Sequence, residues 1–325
     1  MYQNNTSSGI LVSICCVAYN HKAFIGETLE GFLGQKTGFQ YEVIIHDDAS
    51  TDGTKDIIRE YTVKYPDLIR PIFQEKNQYS QGVNIFETFI APCVRGKYIA
   101  ICEGDDYWND PEKLQRQVDI LEKRSTCVAC VHQTIQILPG DEVGKTISPY
   151  EKDCLVDIRT ILSGGNKAFQ LSSLMFRSKI LEKVPDLFKP SNGTWDYALS
   201  IFLGLSGDIY YIARPMSVYR LFSSENSWTS RVRRDRKKWI QHCCYIIELL
   251  NQVDKYSERK FHGTIVHEIL KFEYDLKKRS YDPIIYSNSK YRKLWEKESR
   301  KEKIYFIFKS ILPDTIKNFI KELKG

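Results

Sequence analysis

Three carboxylates fall within four residues at Glu103-Gly104-Asp105-Asp106, directly after the apolar run Tyr98-Ile99-Ala100-Ile101-Cys102. The run has the composition of a buried strand. Carboxylates packed that closely repel one another unless a cation sits between them. A hard divalent ion meets that need, and such an ion commonly carries a diphosphate. The bland alternative is an acidic turn that leads into a helix. A helix start does follow at Asn109-Asp110-Pro111-Glu112, where Asp110 can cap and Pro111 suits the first turn.

Two other polar clusters close apolar runs in the same way. Residues 11–17 read as a buried strand that ends at Ala18-Tyr19-Asn20-His21. Residues 41–45 read as a strand that runs into His46-Asp47-Asp48-Ala49-Ser50-Thr51-Asp52-Gly53-Thr54, a segment rich in cap and turn residues. Apolar spacing predicts helices over residues 23–33 and 54–64, a third strand over 69–74, and a short helix over 86–93. This alternation predicts a parallel sheet with helices on its faces. Ligands of such sheets bind beyond the carboxyl ends of the strands, and all three polar clusters occupy that edge. Further strands are expected near residues 127–132 and 171–176, a helix over 196–205, and closing strands at 208–211 and 216–219. Residues 139–157 carry no clear periodicity.

The bulk properties bound the class. The chain has 325 residues, 42% hydrophobic and 27% charged, as a soluble globular protein has. It has no run of the ~18 apolar residues that a membrane span needs and no signal-peptide pattern at its start. These features predict a cytoplasmic protein. The nine cysteines are scattered, several of them within apolar runs where Cys acts as a small core residue. Cys127 and Cys130 have C-x-x-C spacing but no second pair, so a strand reading outweighs zinc. Charge is uneven: residues 229–325 hold 24 Lys and Arg against 13 Asp and Glu, although the whole chain is only +6. The expected division is therefore 1–228, which carries the motifs, and 229–325, a basic helical region.

The ordered set Val17-Ala18-Tyr19-Asn20, Asp47-Asp48-Ala49-Ser50-Thr51-Asp52-Gly53-Thr54, and Tyr98 through Trp108 resembles glycosyltransferase family 2 over roughly residues 10–228. The resemblance implies a GT-A fold: an α/β, Rossmann-like, mixed and mainly parallel sheet flanked by helices, here with a C-terminal helical extension. It also implies transfer of a sugar from a nucleotide-diphosphate donor, with inversion, to a glycan or lipid-linked acceptor in polysaccharide or glycoconjugate synthesis. A UDP-sugar is the favoured donor and a dTDP-sugar the second choice. Carried over residue by residue, Ala18, Tyr19 and Asn20 border the nucleobase, with Glu27 an acidic position near it. Asp48 accepts a hydrogen bond from the base N–H, although helix capping would also explain one of Asp47 and Asp48. Asp52 and Thr54 are turn and cap residues. Glu103, Gly104 and Asp106 belong to the donor site, and Asp105 is the ligand for Mg2+ or Mn2+. Glu103 departs from the family's D-x-D pattern, which leaves ribose and metal as its alternative contacts.

An inverting transfer requires a general base on the acceptor side. The resemblance assigns it to Asp196 in Thr194-Trp195-Asp196-Tyr197, where the alternative is a helix N-terminal acid favoured by the macrodipole. Met216-Ser217-Val218-Tyr219-Arg220 resembles the Tyr-Arg strand end of relatives, so Arg220 contacts diphosphate or acceptor. Relatives often have a histidine two residues later, where this chain has Phe222. For residues 229–325 the readings are an anionic membrane surface at the inner face of the cell membrane, a homo-oligomer interface, or a solvated basic face. No recognised module points to nucleic acid. The competing functions are a sugar-phosphate nucleotidyltransferase, which would need a glycine-rich phosphate loop near residue 17, and a catalytically degenerate nucleotide-sugar-binding protein.

Overall fold

The computed structural model describes residues 9–164, 168–189, 194–223, 230, 232 and 234–311. The chain divides into two compact units, Met1–Arg231 and Val232–Gly325. The first begins as the alternation predicts: β1 (Ile10–Ala18), α1 (Ile25–Leu33), β2 (Gln40–Asp47), α2 (Thr54–Lys64), β3 (Ile69–Phe73), β4 (Tyr98–Ile101) and α3 (Lys113–Lys123). A short irregular helical stretch, Phe86–Ile90 followed by Ala91–Cys93, precedes β4. The second half holds β5 (Cys127–Leu138), β6 (Glu142–Ile147), β7 (Cys154–Leu155), α4 (Ile158–Gly164), β8 (Met175–Arg177), α5 (Trp195–Ser206) and β9 (Asp208–Arg220).

All these strands join one sheet in the order β3-β2-β1-β4-β8-β5-β9-β7, with β6 paired to β5. β2, β1 and β4 run parallel, in a register that sets Ala18 opposite Asp47 and Cys15 opposite Ile101. β8 is antiparallel to both β4 and β5, and β5 runs parallel to β9. One face of the central strands is apolar and packs on helices, while the other also buries Ser13, Glu42 and His46. Val12, Ile14, Val43, Ile45 and Ala100 are fully buried with Ile25, Leu29 and Phe32 of α1 and Leu114 and Leu121 of α3. Each large side chain buried in this way contributes about 1.5–3 kcal/mol. The ring of Phe32 meets Trp108 edge-on at 4.8 Å. A Cβ at Gly31 would come within 2.8 Å of the Trp108 carbonyl, so only glycine allows this approach of α1 to the chain beyond the acidic loop.

Several elements differ from expectation for identifiable reasons. The two closing strands are one strand, β9, in which Ala213-Arg214-Pro215 forms a bulge. The register steps from His132 opposite Ile212 to Gln133 opposite Pro215. The aperiodic stretch 139–157 contains the amphiphilic edge strand β6, whose exposed faces erase the alternation. Residues 171–176 split into a 3-10 turn, Leu171–Ser173, and the short β8. α3 starts at Lys113, because Asp110 Oδ1 accepts from Glu112 N at 2.9 Å and holds the preceding residues in a turn.

The second unit is helical. Asp235 caps helix Arg236–Tyr256 by accepting from Lys237 N at 2.8 Å. Helix His262–Ser280 follows a break at Glu258 and Arg259, which are left-handed at φ 51° and 60°. Two short helices, Ile284–Ser287 and Arg292–Glu296, lead to helix Arg300–Ile311. Tyr274, Ile285, Tyr291 and Phe306 form the core of this part. Thr229, Arg231 and Arg233 at the start of the basic region, and residues 312–325, lie outside the described residues.

Candidate active site

The three polar clusters meet at the carboxyl edge of the parallel strands. Beyond the ends of the strands the ladder continues for one more step, with Asp48 N donating to Ala18 O at 2.9 Å and Gly104 N to Val17 O at 2.9 Å. The loops after β1 and β2 are then laced together. Asn20 N donates to Ser50 Oγ at 2.9 Å, His21 N to Thr54 Oγ1 at 2.8 Å and Lys22 N to Asp52 Oδ2 at 2.9 Å. Thr51 N returns a bond to Asn20 Oδ1 at 2.9 Å. The short hydroxyl and carboxylate side chains of the 50–54 string thus satisfy backbone donors of the neighbouring loop. Asn20 and Ala49 are left-handed at φ 55° and 63°. Asn tolerates that conformation, whereas Ala does so only because its surroundings hold it there.

Asp48 is almost fully buried. Its Oδ1 accepts from Gln78 N at 2.7 Å and its Oδ2 from Tyr79 N at 3.1 Å. It therefore fastens the 77–79 turn to the end of β2. Asp47 Oδ1 accepts from Ser50 N at 3.1 Å, so both aspartates hold main chain. Tyr19 and Tyr79 are exposed aromatic rings on these loops.

The acidic loop is held from three sides. From α1, Thr28 Oγ1 lies 2.7 Å from Asp106 O and 3.1 Å from Gly104 O. From β9, Val218 and Tyr107 exchange backbone bonds of 2.8 and 3.2 Å. The third hold is Arg220, at the end of β9. Its N donates to Asp106 Oδ1 at 3.0 Å, its Nη1 to Asp105 O at 2.7 Å, and its Nη2 to Glu27 Oε2. The guanidinium lies over the rings of Phe24 and Tyr107, 4.9 and 4.6 Å from their centres. Gly104 sits against the loop after β1, where a Cβ would stand 2.9 Å from His21 Nδ1 and 3.0 Å from Ala18 Cβ. A side chain there would drive the two loops apart.

The Asp105 carboxylate points to a polar setting. Ser223 Oγ donates to its Oδ2 at 2.7 Å, and His21 Nε2 stands 3.7 Å from the same oxygen. Burial raises the Asp106 carboxyl well above the usual carboxylate range, with Asp105 and Glu103 adding to the rise. Glu103 is also raised, by its protein surroundings and by the negative charges of Asp105 and Asp196. Glu103 is exposed, so water weakens these effects. The influence of Asp196 on Glu103 puts the start of α5 within electrostatic range of the acidic loop. Trp195 is packed beside it on Phe86 at 4.7 Å between ring centres.

The residues anticipated from sequence are thus brought together on one edge, with two changes of emphasis. Glu27 pairs with Arg220 rather than standing alone near a base pocket, and Asp48 is engaged by the 77–79 turn. Sequence reading missed His21, Thr28, Tyr79 and Ser223 at this edge. His21 was visible as the end of the polar cluster Ala18-Tyr19-Asn20-His21. Thr28, inside a helix, carries no such signal.

Residues 13–184 match the sequence family described as glycosyl transferase family 2. The chain belongs to that family. Among this family 2 chain's relatives, an uncharacterised protein of Mycobacterium tuberculosis is 35% identical over 231 residues, which cover 70% of this chain and 63% of the relative. The match therefore spans less than two thirds of that relative's length. The UDP-Glc:alpha-D-GlcNAc-diphosphoundecaprenol beta-1,3-glucosyltransferase WfaP of Escherichia coli is 39% identical over 112 residues, 34% of this chain and 41% of its own. Among solved structures, Staphylococcus aureus TarS 1-349 in complex with UDP-GlcNAc superposes with a TM-score of 0.58 at 17% identity, covering 93% of this chain and 81% of that one. The fold of the family 2 chain is accordingly GT-A, a mixed, mainly parallel sheet with helices and a helical C-terminal part.

Proposed function

We propose that the protein is an inverting glycosyltransferase that moves a sugar from a UDP-sugar to a hydroxyl of a glycan or lipid-linked acceptor in the cytoplasm, in polysaccharide or glycoconjugate synthesis. A dTDP-sugar is the second donor choice. The observation that carries this reading is the grip of Arg220 on the acidic loop, at the edge where the loops after β1 and β2 also end. The UDP-GlcNAc bound by TarS and the diphosphoundecaprenol acceptor in the name of the E. coli relative agree with the proposed donor and acceptor classes. The chemistry is assigned to residues 1–228.

In this reading the loops around Ala18, Tyr19, Asn20 and Asp48 border the base. Asp48 shapes that border through Gln78 and Tyr79, and the second lone pairs of its oxygens are the acceptors left for a base N–H. Glu103 and Gly104 face the ribose and diphosphate, and Asp106 and Arg220 hold the loop that presents them. Among the described residues no three His, Cys, Asp or Glu side chains converge into a ready metal cage. Mg2+ and Mn2+ in phosphate sites need only one or two protein ligands, with substrate oxygens and water completing the shell. Asp105, partly exposed, and the raised carboxyls around it fit that use. Asp105 would hold the ion, with His21 beside it. When bound, the ion supplies positive charge against the departing diphosphate.

Asp196 takes the proton from the acceptor hydroxyl as that oxygen forms its bond to the anomeric carbon. The bond from that carbon to the diphosphate oxygen breaks, and the leaving nucleotide keeps the electron pair. A thermal-shift panel of nucleotide sugars with and without Mn2+ tests the reading. A matched donor at a hundred times its Kd adds about 2.7 kcal/mol of stability. No shift with any nucleotide sugar under either condition would overturn it.

A further inference from the structure

Helix Arg300–Ile311 has one inward side and one open side. Phe306 is buried with Tyr274, Ile285 and Tyr291, and Lys309 lies on the same inner side. Ile304, Ile307, Phe308 and Ile311 are turned outward, at 61, 38, 60 and 73% exposure. Their spacing of three, four and seven residues puts them on one stripe. Single exposed apolar residues need no explanation, but four adjacent ones do.

The charge on that stripe is of one sign. Arg300 and Lys301, one turn before Ile304, are exposed and make no ion pair among the described residues. The helix's single carboxylate, Glu302, lies on the Phe306 side, where it accepts from Ser299 N at 3.0 Å and Ser299 Oγ at 2.8 Å and stands 3.8 Å from Lys278. Lys297, just before the helix, is a further exposed cation. In the sequence beyond, residues 312–325 repeat the composition, with Leu312, Ile316, Phe319, Ile320 and Leu323 among Lys317, Lys321 and Lys324.

We propose that this face seats on an anionic lipid bilayer. Ile304, Ile307, Phe308 and Ile311 enter the boundary between headgroups and acyl chains, and Arg300 and Lys301 meet the lipid phosphates. A second copy of the chain fits less well. The stripe offers no carboxylate to the two cations, so self-association leaves them uncompensated, whereas anionic headgroups neutralise them along the whole edge. The inference rests on this surface alone and stands apart from the donor and acceptor proposed above.

The test is sedimentation of the full chain with vesicles of phosphatidylcholine, with and without about a third phosphatidylglycerol. Two variants are compared, Ile304→Asp with Phe308→Asp, and Arg300→Glu with Lys301→Glu. The wild type should sediment with the anionic vesicles and less so as salt rises. Each cation is worth roughly fivefold in binding, so the charge-reversed variant should bind at least about tenfold more weakly. The apolar variant should lose binding to a similar degree. Both change exposed side chains, so circular dichroism, melting and the donor-induced thermal shift should match the wild type. The proposal is overturned if the wild type ignores anionic vesicles or if the apolar variant binds them equally well. It is also overturned if ultracentrifugation shows a wild-type dimer that the apolar substitutions dissociate while vesicle binding stays intact.

Discussion

Arg220 Nη1 donates to the main-chain carbonyl of Asp105 at 2.7 Å and leaves that residue's carboxylate to Ser223 and His21. One side chain from the end of β9 therefore fixes the backbone of the acidic loop without occupying its proposed ligand. A planar, five-donor guanidinium can do this while stacking on Phe24 and Tyr107, and an ammonium cannot. Arg220→Lys should cost about 1.5–3 kcal/mol in stability, the usual loss for a hydrogen bond to a charged group, and should raise the donor KM. Glu27→Gln should show a smaller change in the same direction. Melting and initial-rate kinetics check both. A variant with wild-type melting and wild-type KM would remove Arg220 from this role.

Asp105→Asn should abolish the Mn2+-dependent part of the donor thermal shift. The loss in metal affinity should exceed the roughly 10- to 100-fold typical of outer-shell changes. His21→Gln should weaken it less. Calorimetric titration with Mn2+ reads both, and unchanged affinity in Asp105→Asn would exclude that residue as the ligand.

Asp196→Asn should reduce kcat by about 10²- to 10⁴-fold, the range for a lost general base. Donor-induced stabilisation should stay close to wild type. Rapid turnover by this variant, or a collapse of donor binding with little loss of rate, would argue instead for a helix-start residue favoured by the macrodipole.

Lys113 makes a prediction about pH. It is fully buried, with Nζ 2.8 Å from Gln117 Oε1 and 3.8 Å from the centre of the Trp108 ring. Burial pushes its ammonium down from 10.5 to about 7. Between those values the unfolded chain binds a proton that the folded protein lacks, so stability rises with pH across that window and the cost is constant below it. Lys113→Met should therefore show its largest gain relative to the wild type near pH 7, and the gain should shrink towards pH 10. The lost donor to Gln117 adds an offset but no slope. Melting curves of the two proteins that stay parallel over this range would show that the lysine is not held neutral.

Local pattern was enough for much of the fold. The apolar runs 11–17, 41–45 and 98–102, with α1 and α2 among them, are legible because a strand covered by helices is rich in apolar residues and an amphipathic helix must repeat near 3.6 residues. β6 was not legible, since an edge strand with exposed faces has little reason to alternate. Nor was the unity of β9, which reads as two strands, 208–211 and 216–219, and is one strand with a bulge between them. Within the site, the acidic loop and the 50–54 string were visible as types and spacings. Their partners were not.

The sequence by itself determined which side chains cluster at the ends of parallel strands, because chain direction and strand period place them there whatever lies opposite. The tertiary structure alone decided what each of them meets. Glu27 and Arg220 are 193 positions apart and form an ion pair, and Ser223 reaches Asp105 across 118. Such pairings depend on how β9 crosses the acidic loop, and no local periodicity encodes that crossing.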